Sequence, residues 1–334
     1  MRSLPLPDST YWLFAAEQHL VAVSGAKAKQ VHTVDREGTA LVRRGTFGET
    51  VTDRPLAIVG EDLICEIAQE IVAVPLGGGE RGILVPRDKR PRRKSVVGRI
   101  EAATAAGGGV VIAWSFDDEN IEWTWLDPAS GEVRRLSKTT AQRKEMLGRW
   151  CCGNARTATW LEHHEDTERP APSSYELVRW HAASDEIERS PLLLKDVRAL
   201  RVCDGVTYLG AASKDPGDKS ACVYACYGSA VELLARLPEG SIETICTVDE
   251  RYFAIHSSGS FGTDQLYAFG PAVDDPTVSL FKADKGYQLR GLVNRDGELF
   301  FLDRLNMMSP PRKPRPVPDR LLALERVTVV PRSR

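Results

Sequence analysis

The sequence predicts an all-β fold, one ring of seven four-stranded antiparallel sheets. Three observations predict it: a strand–turn–strand pattern recurring at a steady spacing, four strand-like runs in each period, and a near absence of helix signals.

The recurring pattern is a short apolar run, two or three turn formers, and a second apolar run. Its instances are AAEQHLVAV, IVGEDLICE, AAGGGVVIA, CGNARTATW, VCDGVTYLG, VDERYFAIH and NRDGELFFL. The second runs begin at Leu20, Leu63, Val110, Thr157, Val206, Tyr252 and Leu299, roughly 43 to 49 residues apart, which is the period of a propeller blade. The predicted architecture is therefore a seven-bladed β-propeller with four antiparallel strands per blade, one domain over 1–334. Its blades lie near 8–47, 51–88, 95–138, 144–191, 195–238, 240–284 and 286–332.

Within the periods, the glycine runs 77–79 and 107–109 sit between strands with no helix after them, so they read as hairpin turns rather than phosphate cradles. The third period ends in IEWTWLDPASGEVRRLSK, two strands around a Pro-Ala-Ser-Gly turn. The fifth is the clearest: VRALRVC, an Asp-Gly turn, VTYLGAA, a polar loop, ACVYACY, a Gly-Ser turn and AVELLARL. The sixth reads SIETICTV, YFAIHSS, DQLYAFG and TVSLFKA. LLALE and VTVVP are read as the last two strands of blade seven, with strand exchange by the N-terminal residues as the alternative closure. Only TAQRKEMLG (140–148) has room for about two helical turns, and its period is too weak to assign them. Two β-sandwich domains would be the other all-β solution, but they do not demand a regular period. A ring buries both faces of every sheet and leaves only short edges.

The segment WLDPASGEVRRL, echoed more weakly by VDREGTALVRR and RWHAASDEIERSP, resembles the outer hairpin of quinoprotein and TolB-like propellers, where an Asp ends one strand and a Gly turns into the last. The resemblance implies the architecture of the whole chain and carries no substrate or activity. The Trp-Asp and Gly-His marks of WD40 repeats and the glycine pairs of kelch repeats are missing.

Of the 334 residues 42% are hydrophobic and 27% charged, ordinary for a globular protein, and the net charge is −2, so no whole-molecule field favours nucleic acid or a membrane. The N-terminus lacks the layout of a signal peptide, and no run approaches the ~18 apolar residues of a membrane span, so a soluble, cytoplasmic protein is expected. The seven cysteines lie mostly in alternating apolar runs. They read as buried free thiols rather than a disulfide framework or a metal site.

Number the strands A to D from the axis outward. Antiparallel alternation then puts the B–C loops and D–A linkers on one face, and the A–B and C–D turns on the other. The A–B turns are short. The long segments are the B–C loops 116–120, 163–174, 213–220, 257–264 and 304–319 and the D–A linkers 86–95 and 138–146, all on one face. Variable loops gathered on one side of a rigid scaffold are the usual form of a binding surface.

Three segments of that face are candidate binding sites. Arg87, Lys89, Arg90, Arg92, Arg93 and Lys94 form a dense basic linker. Arg312, Lys313 and Arg315 lie among five prolines in an extended, polyproline-like loop. His163, His164, Glu165, Asp166 and Glu168 form an acidic, histidine-rich tract without the spaced ligand pairs of a structural zinc site. Basic clusters attract acidic partners or phosphate, but no aromatic interleaves with either one, so stacking on single strands has no platform. Ser257, Ser258 and Ser260 near His256 lack the strand–turn–helix setting of a nucleophile elbow. The expected function is a non-enzymatic protein-interaction scaffold, a subunit of a bacterial multi-protein system, with no cofactor, metal or membrane. The alternatives are a hydrolase or lyase acting on a sugar, lactone or peptide at the axial funnel, and a nucleic-acid accessory protein binding through the basic loops.

Overall fold

A computed structural model of the chain describes residues 1–324 apart from 8–9, 17–18, 26–27, 36–39, 49, 94–95, 118–119, 141–143, 165–173, 204, 229, 260–262, 273, 307–309, 312–314 and 316–318. It is a seven-bladed β-propeller, each blade a four-stranded antiparallel sheet.

Blade one is Thr10–Ala16, His19–Ser24, Lys29–Val34 and Leu41–Phe47, and blade two is Arg54–Val59, Asp62–Ile67, Glu70–Pro75 and Gly82–Val85. Blade three is Arg99–Ala106, Gly109–Ser115, Asn120–Leu126 and Val133–Thr140. Blade four is Cys151–Gly153, Thr157–His164, Ser174–His181 and Glu186–Leu192. Blade five is Ala199–Cys203, Val206–Ala212, Ser220–Tyr227 and Ala230–Glu239, and blade six is Ser241–Val248, Arg251–Ser257, Asp264–Phe269 and Val278–Lys282. Blade seven takes three strands from the end of the chain, Tyr287–Arg295, Glu298–Leu305 and Arg320–Leu324. Its outermost strand is the N-terminal Arg2–Pro5.

That last strand is the N-terminal exchange given above as the alternative closure, not VTVVP. Residues 321–324 of LLALE lie in the third strand of blade seven, whose outer edge pairs antiparallel with Arg2–Pro5, from Arg2↔Ala323 to Pro5↔Arg320. VTVVP lies outside the described residues. Arg2 bonds both carboxylate oxygens of Glu298, at 2.6 and 2.7 Å. Asp319 adds a clasp to blade one: its carboxylate accepts the Thr10 amide at 3.1 Å and the Leu305 amide at 2.9 Å.

Burial falls from the middle strands outward, as the geometry of a ring requires. Gly109–Ser115 is buried at every position because neighbouring blades cover both of its faces. The outermost Glu186–Leu192 is mostly exposed and correspondingly polar. The core therefore lies between blades. Between blades three and four, the rings of Trp123 and Trp160 stack at 4.6 Å and 22°. Arg134 lies over Trp125 and Trp180 at 5.4 and 5.8 Å and ion-pairs with Asp185. Buried indoles keep their N–H satisfied where a carbonyl or carboxylate is in reach, as with Trp150 to the Val197 carbonyl at 3.1 Å and Trp160 to Glu162 at 3.1 Å.

The hairpin turns follow the residues that permit left-handed backbone. Gly107 and Gly108 have φ of +59° and +76°, and Asp296 and Gly297 have +55° and +80°, both pairs as a two-residue turn of the primed type needs. Ala68 and Gln69 adopt the same conformation, at +50° and +68°, without a glycine. The segment around 140–148 contains a short 3-10 helix, Lys144–Arg149, in place of α-helical turns. All seven cysteines are free, five of them buried and Cys151 and Cys203 half-buried. Burial pushes the thiols of Cys226 and Cys246 up to about 12, so neither is a thiolate at neutral pH. Among the described residues no helix is long and apolar enough to cross a membrane.

Candidate functional site

The strand order puts the B–C loops and the D–A linkers on one face. There the 86–98 linker between blades two and three leaves Val85, makes a 3-10 turn at Arg87–Lys89, and ends in a small ribbon, Arg92–Arg93 paired with Val96–Val97. Arg87, Lys89, Arg92 and Arg93 are exposed. Lys94 lies outside the described residues.

Arg90, in the middle of the same run, is not part of that surface. Its side chain is 2% exposed. It donates to Glu66 Oε1 at 2.7 Å, to the Gln69 carbonyl at 2.9 Å and to the Gly98 carbonyl at 2.8 Å, and its guanidinium sits 4.9 Å from the centre of the Trp114 ring. It ties the linker to blades two and three. A run of like charges reads as uniformly solvated in the sequence. What separates Arg90 is the set of acceptors buried beneath it.

The exposed arginines meet two residues that the sequence did not single out. Arg92 and Arg93 flank a cleft of about 200 Å³ whose other walls carry Arg135 and Lys138 from the outer strand of blade three. Phe116 and Ile121, both buried, form its floor. Arg93 pairs loosely with Asp117 at 3.3 Å and Arg135 with Glu122 at 3.7 Å. Arg92 and Lys138 have no ion-pair partner among the described residues. Strict alternation along VRRLSK would put Arg135 and Lys138 on opposite faces of the outer strand; the register shift at Trp123/Thr124 skips Leu136 and brings both to one face, beside the linker.

The described residues of the other two candidate segments do not line this cleft. Arg315 is turned inward: its guanidinium stacks on Tyr287 at 3.6 Å and donates to Asp303 at 2.8 Å and Asp284 at 3.2 Å. Asp303 is fully buried and also takes Arg320 at 2.5 Å, so Arg315 anchors its loop. Arg312 and Lys313 lie outside the described residues, as do Glu165, Asp166 and Glu168. His163 is 2% exposed and packs against Tyr175 at 4.8 Å and Trp150 at 6.4 Å, a core position. His164 ends the same strand, Thr157–His164.

The axial rim holds acids that the sequence reading left unnamed. The inner strands of blades one, two, three, six and seven each carry a register shift near their start. Such bulges re-aim a side chain. In blades three and six the skipped residues are Glu101 and Glu243, 13% and 10% exposed. Glu243 takes Arg149, from the linker into blade four, at 2.9 Å, and Arg290 of blade seven at 3.6 Å. Arg290 also pairs with Asp264 at 3.2 Å. This belt runs along the rim past blade five. The repeated Ile-Glu at the start of two apolar inner strands was the available signal. On the opposite face the channel mouth, about 340 Å³, is lined by alanine, glycine and other uncharged residues. Among the described residues no three His, Cys, Asp or Glu gather to hold a metal.

His256 is buried in blade six, its Nε2 3.1 Å from the Pro238 carbonyl. Burial holds its imidazole below the ordinary 6.5, and burial followed by the charge of Arg43 does the same for His32. The unfolded chain therefore binds more protons than the folded one below that value. The contribution is complete above about 6.5 and is lost as pH falls. The Asp264 carboxyl, pushed up by burial, acts in the opposite sense at more acidic pH. The thermal midpoint is expected to drop between pH 7.5 and 5.5, with a shallower slope in His256→Gln. A flat profile in the parent protein would refute this assignment.

No protein-family model and no curated protein sequence matches the chain. Among solved structures it is similar to the β-propeller domain of the Trilobed protease from Pyrococcus furiosus, with a TM-score of 0.60 and 11% identity over 96% of each chain. That domain is described as having an open velcro topology, whereas here Arg2–Pro5 closes blade seven. A structure from a study of two prolyl endopeptidases matches with a TM-score of 0.56 and 12% identity over 90% of this chain and 47% of that one. The N-terminal domain of Nup159 matches with a TM-score of 0.52 and 12% identity over 96% of this chain and 93% of that one. At these identities the likeness is one of fold.

Proposed function

We propose that the chain is a non-enzymatic interaction module, a subunit of a bacterial multi-protein assembly, which docks an acidic segment of another protein on the B–C and D–A face of blade three. The observation that carries this reading is the cleft between Arg92, Arg93, Arg135 and Lys138, where four exposed cations converge and Arg92 and Lys138 have no ion-pair partner among the described residues. Its position suits recognition: the linker bearing Arg92 and Arg93 is pinned by buried Arg90, so the cations are presented with little ordering left to do on binding.

Two features favour a protein over nucleic acid. The cleft is small, about 200 Å³, and its aromatic, Phe116, is 8% exposed, so no ring is offered for a base to stack on. The net charge of −2 supplies no long-range attraction for a polyanion. Local charge matching of this kind sets orientation and on-rate more than raw affinity.

The test is affinity capture from native cell extract, with and without nuclease, using the parent chain and Arg92→Glu/Arg93→Glu. A stoichiometric protein captured by the parent, retained after nuclease and lost in the double variant is the expected result. Capture abolished by nuclease would replace the protein reading with the nucleic-acid one, and capture unaffected by the charge reversal would remove this face from consideration. Arg90 is left unchanged because reversing it would unfold the linker rather than test the surface.

A further inference from the structure

A second cleft lies on the other side of the same linker, between the inner strands of blades two and three, and encloses about 600 Å³. Small-molecule sites fall in this size range. Its walls are built from side chains fixed by their own bonds. Asp53, 2% exposed, accepts the amides of Thr50 and Ala68 at 2.9 Å each. Glu66 is held between Arg90 at 2.7 Å and Arg54 at 3.2 Å. The turn Ala68–Gln69, left-handed at both residues without a glycine, is kept there by Asp53 on one amide and by Arg90 on the Gln69 carbonyl. Non-glycine residues seldom adopt this conformation, and such strain concentrates at functional sites.

The charges do not cancel. Arg54, Arg90 and Arg99 face Asp53 and Glu66, and both carboxylates are engaged. Arg54 gives its Nε to Glu66 and its Nη2 to the Ile100 carbonyl, which leaves Nη1 without a hydrogen bond among the described residues. Arg99 is 81% exposed, and its one ion pair, to Glu101, is a distant 3.6 Å. Two guanidinium groups at the rim of a preformed cleft therefore have N–H groups to offer, which suits an oxyanion. Val51 and Val97 give the cleft apolar wall, and its volume far exceeds that of a bare ion.

We infer that this cleft binds a small organic molecule carrying a carboxylate or phosphate group, the oxyanion between Arg54 and Arg99 and an apolar body against Val51 and Val97. The reading does not depend on the partner surface, because neither Arg54 nor Arg99 lines the blade-three cleft.

Isothermal titration calorimetry tests it with four probes: phenylacetate, phenyl phosphate, inorganic phosphate and benzyl alcohol. One-to-one binding of either organic anion, tighter than inorganic phosphate and with no heat from benzyl alcohol, is expected. The stronger of the two organic anions identifies the group. Arg99→Glu should weaken that binding roughly tenfold or more, as loss of charge-assisted hydrogen bonds predicts. Thr52→Trp, at an exposed lining position, should abolish it by filling the space without changing charge. An unchanged thermal midpoint shows that each variant is folded. No binding by either organic anion, equal binding by inorganic phosphate, or binding indifferent to both variants would each overturn the assignment.

Discussion

Arg90→Ala is expected to cost about 3–5 kcal/mol of folding stability, the range for removing one member of a buried ion pair. Three acceptors lose their donor at once: Glu66 and the carbonyls of Gln69 and Gly98. Glu66, 14% exposed, keeps only Arg54 at 3.2 Å. The Trp114 ring loses the cation above it, and a cavity opens beside Gly98, which packs too closely on Trp114 and Phe116 for the backbone to collapse inward. Arg90→Lys keeps the charge but not the planar fork that reaches three acceptors, so it should recover only part of the loss. Equilibrium urea unfolding checks both. Arg92→Glu/Arg93→Glu, on the exposed ribbon, should stay within about 0.5 kcal/mol of the parent. A loss below about 1 kcal/mol for Arg90→Ala would mean that the linker is not tied down as described, and would return Arg90 to the solvent-facing set.

Trp160→Ala is expected to cost a further, independent ~3–5 kcal/mol, the range for a large buried aromatic cut back to a methyl. Trp160 is fully buried and stacks on Trp123 across the boundary between blades three and four. Its removal empties a space walled by two rigid sheets, which have little freedom to close it. Glu162 also loses the indole N–H, though Arg189 still donates to it at 2.8 Å. Trp160→Phe should cost clearly less, because a ring remains against Trp123. Denaturant unfolding followed by tryptophan fluorescence measures the loss. Equal losses for Ala and Phe would show that the hydrogen bond to Glu162, not the stacking, holds the boundary.

Much of the architecture was readable because a propeller repeats one local solution. Apolar runs such as GVVIAW and the turns at Asp296–Gly297 and Gly107–Gly108 carry short-range information that each blade needs for itself. What stayed hidden depends on residues far apart in the chain. RSLP is too short and too plain to announce a strand, and it becomes one only because Arg320–Leu324 offers a free edge. The charge run at 87–94 looks uniform, yet Arg90 is buried because Glu66, some 24 residues earlier, lies beneath it. The basic cleft needs Arg135 and Lys138 from a different part of blade three. Glu243 could have been noticed as an acid in an apolar inner strand, but its partners Arg149 and Arg290 come from the linker into blade four and from blade seven.

The N-terminal strand of blade seven also sets the order in which the molecule can be assembled. Its pairing in the ladder, Arg2↔Ala323, joins positions about 320 residues apart, so the loop that must close is long. Six blades can form from neighbouring hairpins while the seventh waits, and long-range pairings of this kind form slowly. Until Arg2–Pro5 arrives, Arg320–Leu324 is an unpaired edge carrying Leu321 and Leu322, a template that a second copy's N-terminus fits equally well. Refolding at high protein concentration should therefore trade strands between molecules, with dimers that persist after dilution, whereas dilute refolding closes each ring on itself.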